Sequence, residues 1–179
     1  MSIETLAKQG REHVYSGLAG IDVAKLKKLR NNQLKECFNH FDDMHYRMEF
    51  IAKIHDTEFI NDAASRSVNA TWYALDRTEG PIIWIAHNNE NEANYKNIIK
   101  LARQKVRMLI CVGPHSDTLH NAFAGIIPTI IDVDTIGEAV HKGFYNQIEQ
   151  KKVLYSPACD SELTTAQQGD AFTREVNEL

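Results

Sequence analysis

Two uninterrupted apolar runs, Pro81-Ile82-Ile83-Trp84-Ile85-Ala86 and Met108-Leu109-Ile110-Cys111-Val112-Gly113, constrain the fold more than any other feature. A strand with one wet face alternates apolar and polar side chains, whereas a strand apolar at every position must be covered on both faces. Further strand-like runs occur at Met48–Ile54, Glu58–Ile60, Ile126–Val133 and Val153–Tyr155, and His55-Asp56-Thr57 links the first two as a hairpin. Helical periodicity fills the gaps near Ser65–Leu75, Asn94–Gln104, Ser116–Phe123, Thr135–Ile148 and Thr164–Leu179. Strand–helix alternation of this kind predicts an α/β domain, a doubly wound, mostly parallel Rossmann-like sheet of about six strands. Such sheets bind ligands beyond the carboxyl ends of their strands. The segments to watch are therefore Asn61–Ser67, His87–Asn94 and Ser156–Gln168.

The chain before Asp42–His45 reads differently. Leu18, Ile21, Leu26, Leu29, Leu34, Cys37, Phe38 and Phe41 recur at helical spacing, interrupted by Gly17, Gly20 and Asn31-Asn32. A short helical segment over 1–44 followed by an α/β domain over 45–179 is the expected division. The basic cluster Lys25, Lys27, Lys28, Arg30 is interleaved with apolar residues and closes a helix, which favours a solvated face over a nucleic-acid patch. With 20 basic against 24 acidic residues the net charge is −4, also contrary to a nucleic-acid surface. At 43% hydrophobic and 25% charged the composition excludes disorder. No run approaches the ~20 apolar residues of a membrane span, and no basic-then-apolar leader opens the sequence. A cytoplasmic protein is expected, without a membrane or nucleic-acid partner.

Taken alone, the candidate residues say little. Asp62 suits the N-cap of the helix that follows it. The loop His87-Asn88-Asn89-Glu90-Asn91-Glu92 matches no metal spacing, and a solvated loop is expected, although His87, Glu90 and Glu92 could pair with an amine. Cys37, Cys111 and Cys159 form no CxxC pair, so neither a zinc knot nor a disulfide framework is expected and the metal-ligand assignment is none. Cys159 would be a nucleophile only with a thiolate-stabilising partner, and a buried thiol is the default. No Gly-x-x-x-x-Gly-Lys loop, Gly-x-Gly-x-x-Gly turn, His-Glu-x-x-His or Gly-x-Ser-x-Gly is present.

Several segments together carry a resemblance. Arg47-Met48-Glu49-Phe50, Phe59-Ile60-Asn61-Asp62, Val68–Leu75, Pro81–Ala86, Val153-Leu154-Tyr155-Ser156-Pro157-Ala158-Cys159 and Gly169-Asp170-Ala171-Phe172 follow in the order and spacing of a Mur ligase C-terminal domain. The similarity covers Arg47–Leu179, and Gly10–Met44, with a worn Gly-x-x-His at Gly10–His13, resembles the final helices of the same family's central domain. The D-glutamate-adding members are the most similar. In that family a central domain uses ATP and magnesium to make an acyl phosphate, and the C-terminal domain holds the attacking amino acid.

The resemblance implies Arg47, Asp62 and Ser161 as matched nucleotide or substrate positions. It also exposes losses. Where the family runs Asp-Ser-Lys-Ala-Thr-Asn, this chain has Asp62-Ala63-Ala64-Ser65-Arg66-Ser67, so the lysine falls on Ala64 and the substrate threonine on Arg66. The lysine that would pair with the D-glutamate carboxylate falls on Asn91, between Glu90 and Glu92. Gln168 replaces the arginine of the last loop, which is about three residues shorter here. A lost charge-assisted contact to a buried carboxylate costs about 2–5 kcal/mol, and lost transition-state donors cost orders of magnitude in rate. The expectation is a non-catalytic binding or regulatory module with no cofactor of its own. The alternative is a ligase fragment acting in trans, with ATP and magnesium supplied through a separate ATP-binding partner. Partners of the first reading would be a second copy, as a homodimer covering the N-terminal apolar face, or a Mur-ligase-related protein.

Overall fold

The computed structural model describes residues 45–88, 94–114 and 117–179. Both the N-terminal helical expectation over 1–44 and the positions Glu90, Asn91 and Glu92 lie outside the described residues.

In chain order the elements are β1 (Glu49–Ile54), β2 (Thr57–Asn61), α1 (Val68–Arg77), β3 (Ile82–His87), α2 (Lys96–Lys105), β4 (Val106–Val112), α3 (Asp117–Phe123), β5 (Thr129–Val133), α4 (Ile136–Phe144), β6 (Lys152–Tyr155) and α5 (Thr165–Asn177). They build one six-stranded sheet in the order β1-β2-β6-β3-β4-β5. Only β1 runs antiparallel, joined to β2 across His55-Asp56 with His55 at φ 53. All other pairs are parallel.

The continuous apolar runs find their explanation in this sheet. Ile82, Trp84 and Ala86 face one side, where α1, α2 and α3 supply Leu75, Ile98 and Phe123. Ile83 and Ile85 face the other, against Val140 of α4 and Phe172 of α5. Trp84 meets Phe123 edge-on at 5.4 Å, and Tyr155 stacks on Phe172 at 5.2 Å. A fully buried side chain of this size contributes roughly 1.5–3 kcal/mol, so β3, β4 and β6 anchor the domain.

Three boundaries differ from the sequence expectation by three residues or more. The Ile126–Val133 run is strand only from Thr129. Ile126 and Ile127 donate their N–H groups to the Phe123 carbonyl and close the end of α3, and Pro128, lacking a donor, precedes the strand. Helix α1 begins at Val68, not Ser65, and its cap is Ser67, whose hydroxyl accepts from Ala70 N–H. Helix α4 ends at Phe144, short of Ile148. Helix α5 begins as the pattern predicts, in a capping box of Thr164 and Gln167.

The winding positions the site. After β2 and β3 the chain passes to the face of α1 and α2, and after β6 it passes to the face of α5. Because β6 lies between β2 and β3, the connections part on either side of it, opening a crevice at its carboxyl end.

Candidate functional site

Ser156, the residue after β6, is the hub of that crevice. Its backbone N–H donates to the Ile85 carbonyl, and its own carbonyl accepts from Trp84 Nε1 at 2.8 Å. Its hydroxyl donates to Asp62 Oδ2 at 3.0 Å and lies 2.9 Å from Thr71 Oγ1. With the Ser156 proton committed to Asp62, Thr71 donates to Ser156. Asp62 is fully buried, its N–H donates to the Tyr155 carbonyl, and its Oδ1 accepts from Met48 N–H.

Asp62 is therefore not a helix cap. The expected capping role passes to Ser67, because the five residues between Asn61 and Ser67 carry the chain across the end of β6 before α1 starts. Burial pushes the Asp62 carboxyl up to about 6, against the pull of the Ser65 and Ser156 hydroxyls, the Met48 N–H and the Arg47 charge. Ala64, where the resemblance implies a lysine, contributes a backbone N–H to the Tyr46 carbonyl at 2.9 Å and no charge.

Beyond Asp62 the loop after β6 folds back on Arg66. The Arg66 Nε donates to Asp160 Oδ1 at 2.6 Å, one terminal nitrogen to the Leu163 carbonyl at 2.9 Å and the other to the Ser161 carbonyl at 2.5 Å. Ser161 Oγ donates to the Leu163 carbonyl and accepts from Gln168 Nε2 at 2.7 Å. Gln168 is buried, and its Oε1 has no hydrogen-bond partner. Ala158 holds the loop's entry in the left-handed region at φ 64, its N–H on the Ser65 carbonyl. The structure thus brings Arg66, Ser161 and Gln168 into one network. Arg47, Asp62 and Ala64 lie together on the β1–β2 side of the crevice.

Of the third segment, His87 and Asn88 are described at its start. His87, the last residue of β3, holds Tyr155 OH at 2.8 Å, and burial lowers its pKa to about 4, so the imidazole is neutral near pH 7. Asn88 donates to the Gly113 carbonyl and to Asp132 Oδ1. Cys159 is buried and its thiol is pushed up to about 11 by burial and by Asp160, which fits a protonated thiol and not a nucleophile. Sequence reasoning missed Thr71 and Tyr155 as partners in the crevice, and it placed Ser156 in a segment to watch without its partners. All three carry a hydroxyl, but only the sheet order brings them to Asp62 and His87.

No family model matches the chain. A UDP-N-acetylmuramoylalanine--D-glutamate ligase of Porphyromonas gingivalis is 32% identical over 182 residues, covering 100% of this chain and 40% of that ligase. The ligase of the same name from Christiangramia forsetii is 30% identical over 161 residues, covering 90% and 36%. Among solved structures, a UDP-N-acetylmuramate-alanine ligase from Thermotoga maritima superposes with a TM-score of 0.51 at 14% identity, over 94% of this chain and 38% of the other. A murein peptide ligase from Psychrobacter arcticus gives 0.51 at 13% identity, over 74% and 29%. Among the described residues, no helix is long and apolar enough to cross a membrane. Along its length the chain is similar to UDP-N-acetylmuramoylalanine--D-glutamate ligases and it has the fold of Mur ligases, while spanning about 40% of the length of the Porphyromonas gingivalis enzyme.

Proposed function

We propose that this chain is a non-catalytic Mur-ligase-like domain, a binding or regulatory module in place of a D-glutamate-adding enzyme. The observation that carries the reading is the state of Arg66. It stands where the resemblance implies a substrate threonine, and its guanidinium is satisfied by Asp160 and by the carbonyls of Ser161 and Leu163. A dianionic amino acid would have to displace that carboxylate and both carbonyls to gain one cation. The other implied cations are absent, with Ala64 and Asn91 at lysine positions and Gln168 at an arginine position. Each missing charge-assisted contact costs about 2–5 kcal/mol in affinity. Ser161 offers no compensation, since its hydroxyl already bonds Leu163 and Gln168.

Binding of D-glutamate tests this directly at the site. The Arg66 Nε–H resonance is predicted to stay in place as D-glutamate is titrated to millimolar concentration. A saturable shift of that resonance would overturn the reading.

The second reading, ligation in trans with a separate ATP-binding partner, draws on the retention of Asp62 and Arg47. It requires ATP and magnesium to be held outside this chain, and it predicts that mixing with such a partner yields glutamate-dependent phosphate release.

A further inference from the structure

At the far side of the sheet the register of β4 and β5 pairs Cys111 with Asp132, so both side chains project from the same face. The β4–β5 crossover lays α3 over that face. Leu119 and Phe123, one turn apart, are fully buried and clamp the helix, which leaves His120 at its rim above the pair. One donor atom from each of Cys111, His120 and Asp132 lies within 4.8 Å of the others. His120 Nε2 is 3.0 Å from Asp132 Oδ2, while Asn88 Nδ2 holds Oδ1 at 3.3 Å. Among the described residues, no other group of three such side chains closes to this spacing.

We propose that Cys111, His120 and Asp132 form a binding site for one zinc-class divalent ion, with a fourth position open to solvent. The donor atoms of a tetrahedral zinc site, with bonds of about 2.0–2.3 Å, stand roughly 3.4–3.8 Å apart. Small side-chain rotations bring the three groups to that spacing. The burial gradient suits it too: Cys111 is fully buried, whereas the His120 and Asp132 side chains are 31% and 32% exposed, so an ion reaches the site from water and finds the thiol at its floor. Asn88 acts as the outer partner that orients the carboxylate. A soft sulfur beside an imidazole selects zinc, cobalt or nickel over magnesium, whose preference is for oxygen. On binding, the S–H bond breaks and its proton leaves to solvent, the sulfur gains a metal bond, and the imidazole carries its remaining proton on Nδ1. Burial and the Asp132 charge hold the free thiol up at about 12, so affinity should rise with pH. None of these three residues takes part in the Asp62–Arg66 network, so the site stands whether or not the proposed function does.

The test is cobalt titration of the metal-stripped full chain carrying Cys37→Ser and Cys159→Ser, so that Cys111 is its sole thiol. The expected result is one cobalt per chain with a thiolate-to-cobalt charge-transfer band that zinc abolishes by competition and magnesium does not. His120→Ala and Asp132→Asn alter half-exposed positions and leave the fold intact. Each should weaken cobalt binding by more than ~100-fold, since outer-shell partners alone are worth ~10–100-fold. Cys111→Ser should remove the band. Absence of the band in the parent chain, or cobalt binding unchanged in His120→Ala and Asp132→Asn, would overturn the proposal even if Cys111→Ser failed to fold.

Discussion

Asp62 has a carboxyl raised to about 6 by burial, above its ordinary 3.8. Between those two values the folded chain binds more protons at this residue than the unfolded chain does, so its contribution to stability falls as pH rises from about 4 to 6. The shift corresponds to roughly 2–3 kcal/mol across that window. Asp62→Asn keeps Oδ1 as an acceptor for Met48 N–H and lets Nδ2 donate to Ser156, whose own proton then turns to Thr71. Urea unfolding of the variant between pH 4 and 7 should lose that part of the slope; an unchanged slope would mean that the carboxyl is ionised as freely in the folded state as in the unfolded. Arg66 poses a different question, because its carboxylate partner Asp160 is 87% exposed. Such a pair contributes at most about 1 kcal/mol. Arg66→Ala should therefore lower Tm only slightly while hydrogen exchange at Cys159–Leu163 accelerates, because the guanidinium ties that loop to Arg66 through three separate acceptors.

At the scale of the elements, α5 ties the start of the domain to its end. Gly169 lies under the Tyr46 ring, whose hydroxyl donates to Asp170 Oδ1 at 2.7 Å, and its carbonyl accepts from Asn61 Nδ2. A Cβ at Gly169 would run into that ring, so Gly169→Ala should cost about 1–3 kcal/mol in chemical denaturation. Thr164→Ala removes one half of the capping box at the N-terminus of the same helix and should cost about 1 kcal/mol. How legible an element was in the sequence follows from what surrounds it. Strands β3 and β4 could be read because all their side chains but His87 and Arg107 are apolar, and both faces of those apolar runs are covered. Strand β5 lies at the sheet edge with Thr129 and Asp132 exposed, so its apolar signal merged with Ile126 and Ile127, which belong to the turn after α3. The start of α1 was misplaced for a related reason: Asp62 is as good a cap chemically as Ser67, and only the crossing of β6 separates them.

For the molecule as a whole, the doubly wound sheet was readable from the rhythm of runs, and so was the crevice at the strand ends. The wiring inside the crevice was not. Ser156 bonding Asp62 and Arg66 bonding Asp160 depend on β6 entering between β2 and β3, a strand order that periodicity does not encode. The same holds for Cys111, His120 and Asp132, which no metal motif spaces in this way and which meet only through the β4–β5 register and α3. The proposed function holds that the Mur ligase fold is kept while the site does not serve ligation. Replacing the matching portion of the Porphyromonas gingivalis ligase with residues 45–179 of this chain, and measuring D-glutamate-dependent phosphate release with ATP and the UDP-N-acetylmuramoylalanine substrate, tests that reading at its source. A folded chimaera with release reduced by at least about 1000-fold, the scale of lost transition-state charge stabilisation, is the expected result. Release within about tenfold of the parent ligase would contradict it.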